Sequence, residues 1–295
     1  MKKFLINVLG IIIIVICSLF VLDFAYTKVY NHSNPRTKLQ YLLKLNNQSL
    51  DVLFLGSSRV ANHIDVKLFD QLSHKKTLNM GVEGAGLNDN LLQLKLFLSQ
   101  NKVKTIVLQI DNNIETTTPS NISKAEAMPF IKNKIIESHI KEYSKENYFN
   151  LTYIPFYRYA INDSKIGFRE CFFSIINKKP NVAPSIGYTP KFGNSIPVMK
   201  TTSLGKSEPL QTNEILLEIQ NICKNKNVQL IYFIAPYCSK IKTESFVAKL
   251  KKILPNLIDL SHDYDDNLFF NCGHLNDKGA QLLTRRLFLA VKNKI

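Results

Sequence analysis

Apolar residues fall into three kinds of run along this chain, and each kind predicts a different element. The first is a single long block, "FLINVLGIIIIVICSLFVLDFAY" over residues 4–26, broken only by Asn7, Ser18 and Asp23 among its polar positions. About 20 such residues span a bilayer as a helix. A cleaved signal peptide has a shorter apolar core and small residues around its cleavage site. "DFAYTK" offers no small-x-small pattern, so the expectation is an uncleaved anchor, with a cleaved signal as the alternative. Lys2 and Lys3 favour an inside amino terminus, although Lys28, Arg36 and Lys38 weaken the asymmetry.

The second kind is short and fully apolar, as expected of strands covered on both faces. "DVLFLG" begins at Asp51, "TLNMG" spans 77–81, "TIVLQI" 105–110, "VQLIYFIAP" 228–236 and "LIDLS" 257–261. The third kind is helical in period. Over 210–225 the apolar positions are Ile215, Leu216, Ile219, Ile222 and Cys223. Over 277–292 they are Ala280, Leu283, Leu287 and Val291, with Asn276 as N-cap. Helices are also expected at 88–100 and 244–253. Strands alternating with helices predict a parallel sheet between helix layers, with ligands outside the carboxyl ends of the strands.

Three segments follow from this pattern: a cytoplasmic tip and transmembrane anchor over 1–26, a polar stalk with a short helix ("TKLQYLLKLNNQ") over 27–50, and an α/β domain over 51–295. An insertion at about 114–206 breaks the alternation. It carries one expected helix at 124–146, an aromatic loop and a Gly/Pro-rich tract. It reads equally as a lid or substrate platform, or as an elaboration with its aromatics packed inward.

Composition narrows the function. The 295 residues are 45% hydrophobic, lack tryptophan and carry a formal charge of +15. The lysines are scattered in pairs such as Lys75–Lys76, and no basic helix with interleaved aromatics occurs, so nucleic acid is not an expected partner. Neither GxGxxG nor GxxxxGK[ST] follows a strand, which argues against nucleotide binding. The five cysteines show no CxxC or His/Cys metal spacing. Separate free or buried thiols are expected, with Cys238–Cys272 pairing in an oxidising compartment as the alternative.

Four polar clusters end the expected strands or open the last helix: "GSSR" (56–59), "NMGVEGAG" (79–86), "DNN" (111–113) and "NCGHLNDKG" (271–279). Together they hold the parts of acyl-transfer chemistry: a hydroxyl nucleophile, a base and donors for an oxyanion. His274 alone of six histidines sits among turn residues at the mouth of a helix.

The order Ser, Gly, Asn, His at these spacings resembles the SGNH/GDSL hydrolase superfamily, in its membrane-anchored cell-envelope branch, which includes proteins similar to alginate and peptidoglycan O-acetyltransferases. The resemblance covers about 51–113 and 228–292. It implies a three-layer α/β/α flavodoxin-like fold with strand order 2-1-3-4-5, preceded by one transmembrane helix. It also implies a serine esterase or O-acyltransferase acting on ester groups of an envelope polysaccharide. Ser58 would be the nucleophile, His274 the base, and Gly84 and Asn113 oxyanion donors. No cofactor or metal is implied. The implied partners are an acylated glycan or small ester, the membrane and a membrane-bound acyl-donor protein, with the domain on the extracytoplasmic side. The family usually has aspartate three residues before its histidine, where this chain has Asn271. Three outcomes stand open: a working Ser–His–Asn triad, an aspartate recruited from Asp265 or Asp266, or a weak or inert site that only binds glycan or a membrane partner.

Overall fold

A computed structural model describes residues 1–205, 210–211 and 213–295. The apolar block forms α1, Lys2–His32, with its large apolar side chains exposed from Phe4 to Phe24. By length and composition it can cross a membrane, as an anchor or as a signal sequence. The helix runs on past residue 26 because Tyr26, Val29 and Tyr30 pack against the body of the protein. Next comes α2, Lys38–Lys44, whose first turn is capped by Thr37 accepting from the Gln40 N–H. Leu39 and Leu42 of α2 are buried, so the segment expected to be a polar stalk is part of the folded core.

The alternating region then lays down β1 (Ser49–Leu55), α3 (Ser58–His63), α4 (Val66–Ser73), β2 (Thr77–Asn79), α5 (Leu87–Gln100) and β3 (Lys102–Gln109). The insertion contributes α6 (Asn121–Ala127), α7 (Lys134–Tyr143), α8 (Lys145–Tyr153), α9 (Tyr157–Ala160), α10 (Asp163–Ile166), α11 (Phe168–Ile175) and β4 (Thr202–Ser203). The chain closes through α12 (Glu214–Asn225), β5 (Gln229–Ile234), β6 (Ile241–Lys242), α13 (Glu244–Ile253), β7 (Ile258–Asp259), β8 (Phe269–Asn271), β9 (His274–Leu275) and α14 (Asp277–Val291).

The main sheet is five-stranded with order β2-β1-β3-β5-β7, and every pairing in it is parallel. In chain-order numbering this is 2-1-3-5-7 rather than the expected 2-1-3-4-5. The difference arises because β4 and β6 pair with each other outside the sheet. Both faces of β1 are covered, which explains its unbroken apolar run. Val52 and Phe54 pack with Val60, Phe69, Leu283 and Leu287, whereas Leu53 and Leu55 join the cluster holding Leu91, Leu94, Ile215 and Ile219.

The insertion departs from the single helix expected at 124–146. A 3-10 turn at Met128–Phe130 interrupts it, because Pro129 has no N–H to donate into an α-helical ladder. A new helix then starts at α7, where the Asn133 side chain accepts from the N–H groups of Ile135 and Ile136. Its aromatics point both ways: Tyr159 is fully buried, whereas Phe149, Tyr153 and Phe168 are exposed.

Candidate active site

The strand order reverses around β1, with β2 on one side and β3 on the other. Chains leaving the carboxyl ends of β1 and β3 therefore diverge and open a crevice. Gly56 makes the turn out of β1. A Cβ there would lie 2.5 Å from Val60 Cγ2 and 2.8 Å from Gln109 Cβ, so only glycine fits. Ser57 is the N-cap of α3, accepting from the Arg59 N–H. Its hydroxyl also lies 2.9 Å from Gln109 Oε1 and 2.8 Å from Asp111 Oδ2, which engages it in shaping the turn. Ser58, the first helical residue, is left to project its hydroxyl elsewhere.

The hydroxyl of Ser58 meets His274. The distance from Ser58 Oγ to His274 Nε2 is 2.8 Å, across 216 residues of sequence. On the other side of the ring, Nδ1 lies 3.0 Å from Asn271 Oδ1. The same oxygen accepts from the Gly273 N–H at 3.0 Å. An N–H can only point at an acceptor, so Gly273 fixes which way the Asn271 amide faces. With oxygen toward the ring, Nδ1 carries the proton and Nε2 offers its lone pair to Ser58. That is the tautomer a general base requires. Asn271 and His274 face each other across the tight antiparallel β8–β9 pair. Neither Asp265 nor Asp266 replaces Asn271 as a partner of the ring. The Asp266 carboxylate is taken by the backbone and hydroxyl of Ser239, at 2.8 and 2.7 Å.

Burial pushes the His274 pKa below its ordinary 6.5, and the Arg59 and Lys191 charges add to this against Glu83 and Asp111. The ring is therefore neutral at neutral pH, ready to accept a proton. His63 stands edge-on to it, with ring centroids 5.9 Å apart. Burial foremost, then Arg59 and His274, hold His63 well below 6.5. Its Nε2 accepts from the Leu275 N–H at 3.0 Å, which pins the strand that starts with His274.

The two other expected residues lie on neighbouring turns. Gly84 is exposed, with φ of +69°, and the space where a Cβ would sit is open. Its turn is held by the buried Asp89 carboxylate, which accepts from the Gly86 N–H at 2.8 Å. Asn113 Nδ2 is 3.5 Å from Ala85 O. Ser57, Ala85, Gly86, Asp111 and Asn113 line one small cavity, which brings the first three clusters together.

Several residues of the site were not singled out from sequence. Arg59 is 3% exposed. Its guanidinium lies 3.3 Å from the Tyr237 ring centroid, donates to Ala235 O at 3.2 Å and has Nε 3.7 Å from Asp111 Oδ2. Burial pushes the Asp111 carboxyl up, but Arg59, the Tyr237 hydroxyl and Ser57 outweigh it and bring the pKa below 3.8. Lys38 Nζ bridges Asn79 Oδ1, Gly81 O and Gly187 O. The signal for Arg59 and Asp111 was their position, one residue after the nucleophile and at the end of β3, but nothing in their spacing announces a pair.

The expectation of separate thiols does not hold at two positions. Cys238 and Cys272 form a disulfide, with Cα atoms 4.6 Å apart. The Cys238 N–H also donates to Cys272 O, so backbone pairing brings the two sulfurs together. This bond ties the end of β5 to the turn between Asn271 and His274. Cys17, Cys171 and Cys223 are free.

The Gly/Pro-rich tract of the insertion straps the site. The Thr189 N–H donates to Ala61 O of α3, and the Tyr188 hydroxyl reaches Asp277 Oδ1 at 3.1 Å. Asp277 N donates to Lys191 O, while Lys191 Nζ is 3.8 Å from Glu83 Oε1. The strap thus joins α3 to the start of α14. Among the described residues no group of three or more His, Cys, Asp or Glu side chains is gathered as a metal ligand set. No protein-family model matches the chain, and no curated protein matches it.

Proposed function

We propose that this protein is a serine hydrolase or O-acyltransferase of SGNH type, acting on ester groups of a cell-envelope polysaccharide. The observation that carries the reading is the chain Ser58 Oγ, His274 Nε2, His274 Nδ1, Asn271 Oδ1, with links of 2.8 and 3.0 Å. A central parallel sheet with helices on both faces supports the reading. The apolar α1 supports a membrane anchor with the domain outside the cytoplasm, where a disulfide persists.

Ser58 Oγ attacks the acyl carbonyl while its proton passes to His274 Nε2. The Ser58 N–H, the Gly84 N–H and the Asn113 amide bind the negative oxygen of the tetrahedral intermediate. Collapse breaks the bond to the sugar oxygen, which takes the proton from His274 and departs as a hydroxyl, leaving an acyl-serine. Water or a second hydroxyl then attacks the acyl group through the same base. Asn271 holds the tautomer but brings no negative charge to the imidazolium. That lack favours a second reading, a glycan-binding protein without chemistry.

A fluorophosphonate probe separates the two. Labelling of the wild type and none of Ser58→Ala is expected. An unlabelled wild type with an intact circular dichroism spectrum would overturn the enzyme reading.

A further inference from the structure

We propose that the insertion is a membrane seat: α8–α11 rest their exposed apolar side chains in the interfacial layer of the bilayer that α1 crosses. The proposal rests on reading α1 as a retained anchor. It assigns to the insertion a lipid surface as partner, separate from the ester site.

The first argument is where α1 is tied. Asp23 accepts from the Phe156 N–H at 2.9 Å and from Arg158 Nη2 at 2.6 Å. Thr27 Oγ1 lies 2.7 Å from the Tyr159 hydroxyl, and the Tyr30 hydroxyl donates to Ile166 O at 3.0 Å. The Tyr26 ring packs edge-on against Phe156 and Tyr159. All these ties fall between residues 23 and 30, at the carboxyl end of the apolar run and just beyond it. At 1.5 Å per residue, the stretch from Phe4 to Leu22 is about 28 Å long, close to the roughly 30 Å of a hydrocarbon core. Asp23 and the insertion residues bound to it therefore stand at the membrane boundary. The anchor holds α9 and α10 there directly, and α8 and α11 adjoin them.

The second argument is which way the insertion faces. In α11 the buried positions are Cys171 and Ser174. Phe168, Phe172 and Ile175, about a quarter-turn round the helix from them, are 72%, 46% and 58% exposed. Large apolar side chains on the outer face and small ones on the inner face invert the pattern of a helix bathed in water. Phe149 and Tyr153 of α8 are likewise exposed. A solvated surface carries such residues singly. Clustered beside a membrane helix, they fit the aromatic-rich interfacial layer. The third argument is charge. Lys178 and Lys179 come after α11, beyond Ile176 and Asn177, with the Lys178 ammonium 4.0 Å from the Phe173 ring centroid. Basic side chains at this height attract anionic head groups.

The test uses the absence of tryptophan from the chain, so one substitution yields one fluorophore. Full-length Phe168→Trp, Ile12→Trp and Leu289→Trp proteins are reconstituted into phosphatidylcholine–phosphatidylglycerol vesicles with lipids brominated at shallow or deep acyl positions. Ile12 reports the middle of α1, and Leu289 the exposed face of α14. Expected are quenching of Phe168→Trp by shallow bromines, quenching of Ile12→Trp by deep ones, and an unquenched Leu289→Trp. If Ile12→Trp is quenched while Phe168→Trp matches Leu289→Trp, the seat is refuted and the anchor stands, leaving the patch to a protein partner. An unquenched Ile12→Trp removes the anchor reading and this inference with it. Equal quenching at Phe168 and Leu289 refutes the seat as non-specific adsorption.

Discussion

Asn271 separates two tasks that an aspartate performs together in a serine triad: holding the histidine tautomer and stabilising its cation. In a serine protease, replacing that aspartate by asparagine costs about 10⁴ in turnover because the amide holds the wrong tautomer. Here the Gly273 N–H turns the amide oxygen toward Nδ1, so only the charge is missing. Asn271→Asp is expected to raise kcat/KM for an ester substrate by about tenfold, the gain from a charge-assisted hydrogen bond. Asn271→Leu, which leaves Nδ1–H without an acceptor, is expected to lower it by about 10³-fold. The pH profile carries the same logic. His274 acts only when neutral, so activity is present above its pKa and lost as pH falls through it. Burial and Arg59 hold that pKa below 6.5, so the acid limb has its midpoint below 6.5, and Asn271→Asp moves it upward. The family resemblance singled out Ser58, His274 and Asn271, whose side chains the fold brings together. It could not say how the amide faces, because that depends on one backbone N–H in a two-residue turn.

At the level of elements, the base is carried by the short β8–β9 hairpin, which is not part of the main sheet. What fastens it is the Cys238–Cys272 bond, the Leu275 N–H to His63, and the strap running to Asp277. A cross-link over a separation of 34 residues is worth about 4 kcal/mol by loop-closure entropy. The Cys238→Ser, Cys272→Ser double variant is expected to unfold at lower denaturant by that order. It is also expected to lose probe labelling at Ser58 ahead of global unfolding, since the freed turn is the one that aims His274. Parallel labelling and circular dichroism curves check this; coincident curves would show that the bond stabilises the fold without aiming the base. The sheet strands could be read from their apolar runs, each buried on both faces. The breaks within the insertion could not be placed, because Pro129 and the Asn133 cap act against a helical period that continues through them.

Across the whole molecule, α1 and the insertion form one structural unit although they are far apart in sequence. Arg158 and Asp23 pair at 2.6 Å with side chains 5% and 18% exposed. Removing one partner of so buried a pair leaves a stranded charge, at a cost of about 3–5 kcal/mol. Asp23→Ala is therefore expected to lower the thermal midpoint of the detergent-solubilised protein, and Asp23→Asn to lower it less, because an amide oxygen still accepts from Arg158. A chain whose anchor hung on a loose tether would respond to neither. Hydropathy alone made α1 legible. Its docking was not, since partners 135 residues apart leave no local pattern.

The 216 residues that separate Ser58 from His274 also set an order of events. A ribosome delivers the serine early and the histidine only after the last strand of the sheet has been made. Until then, the emerging chain holds the Ser58 hydroxyl with no imidazole beside it, no more reactive than any other surface serine. The Ser58–His274 pair comes into being when β5 settles against β3 and the closing hairpin against α3. On the proposed reading, chemistry and complete folding begin at the same moment, and a half-made or misfolded copy has no assembled site with which to attack an ester.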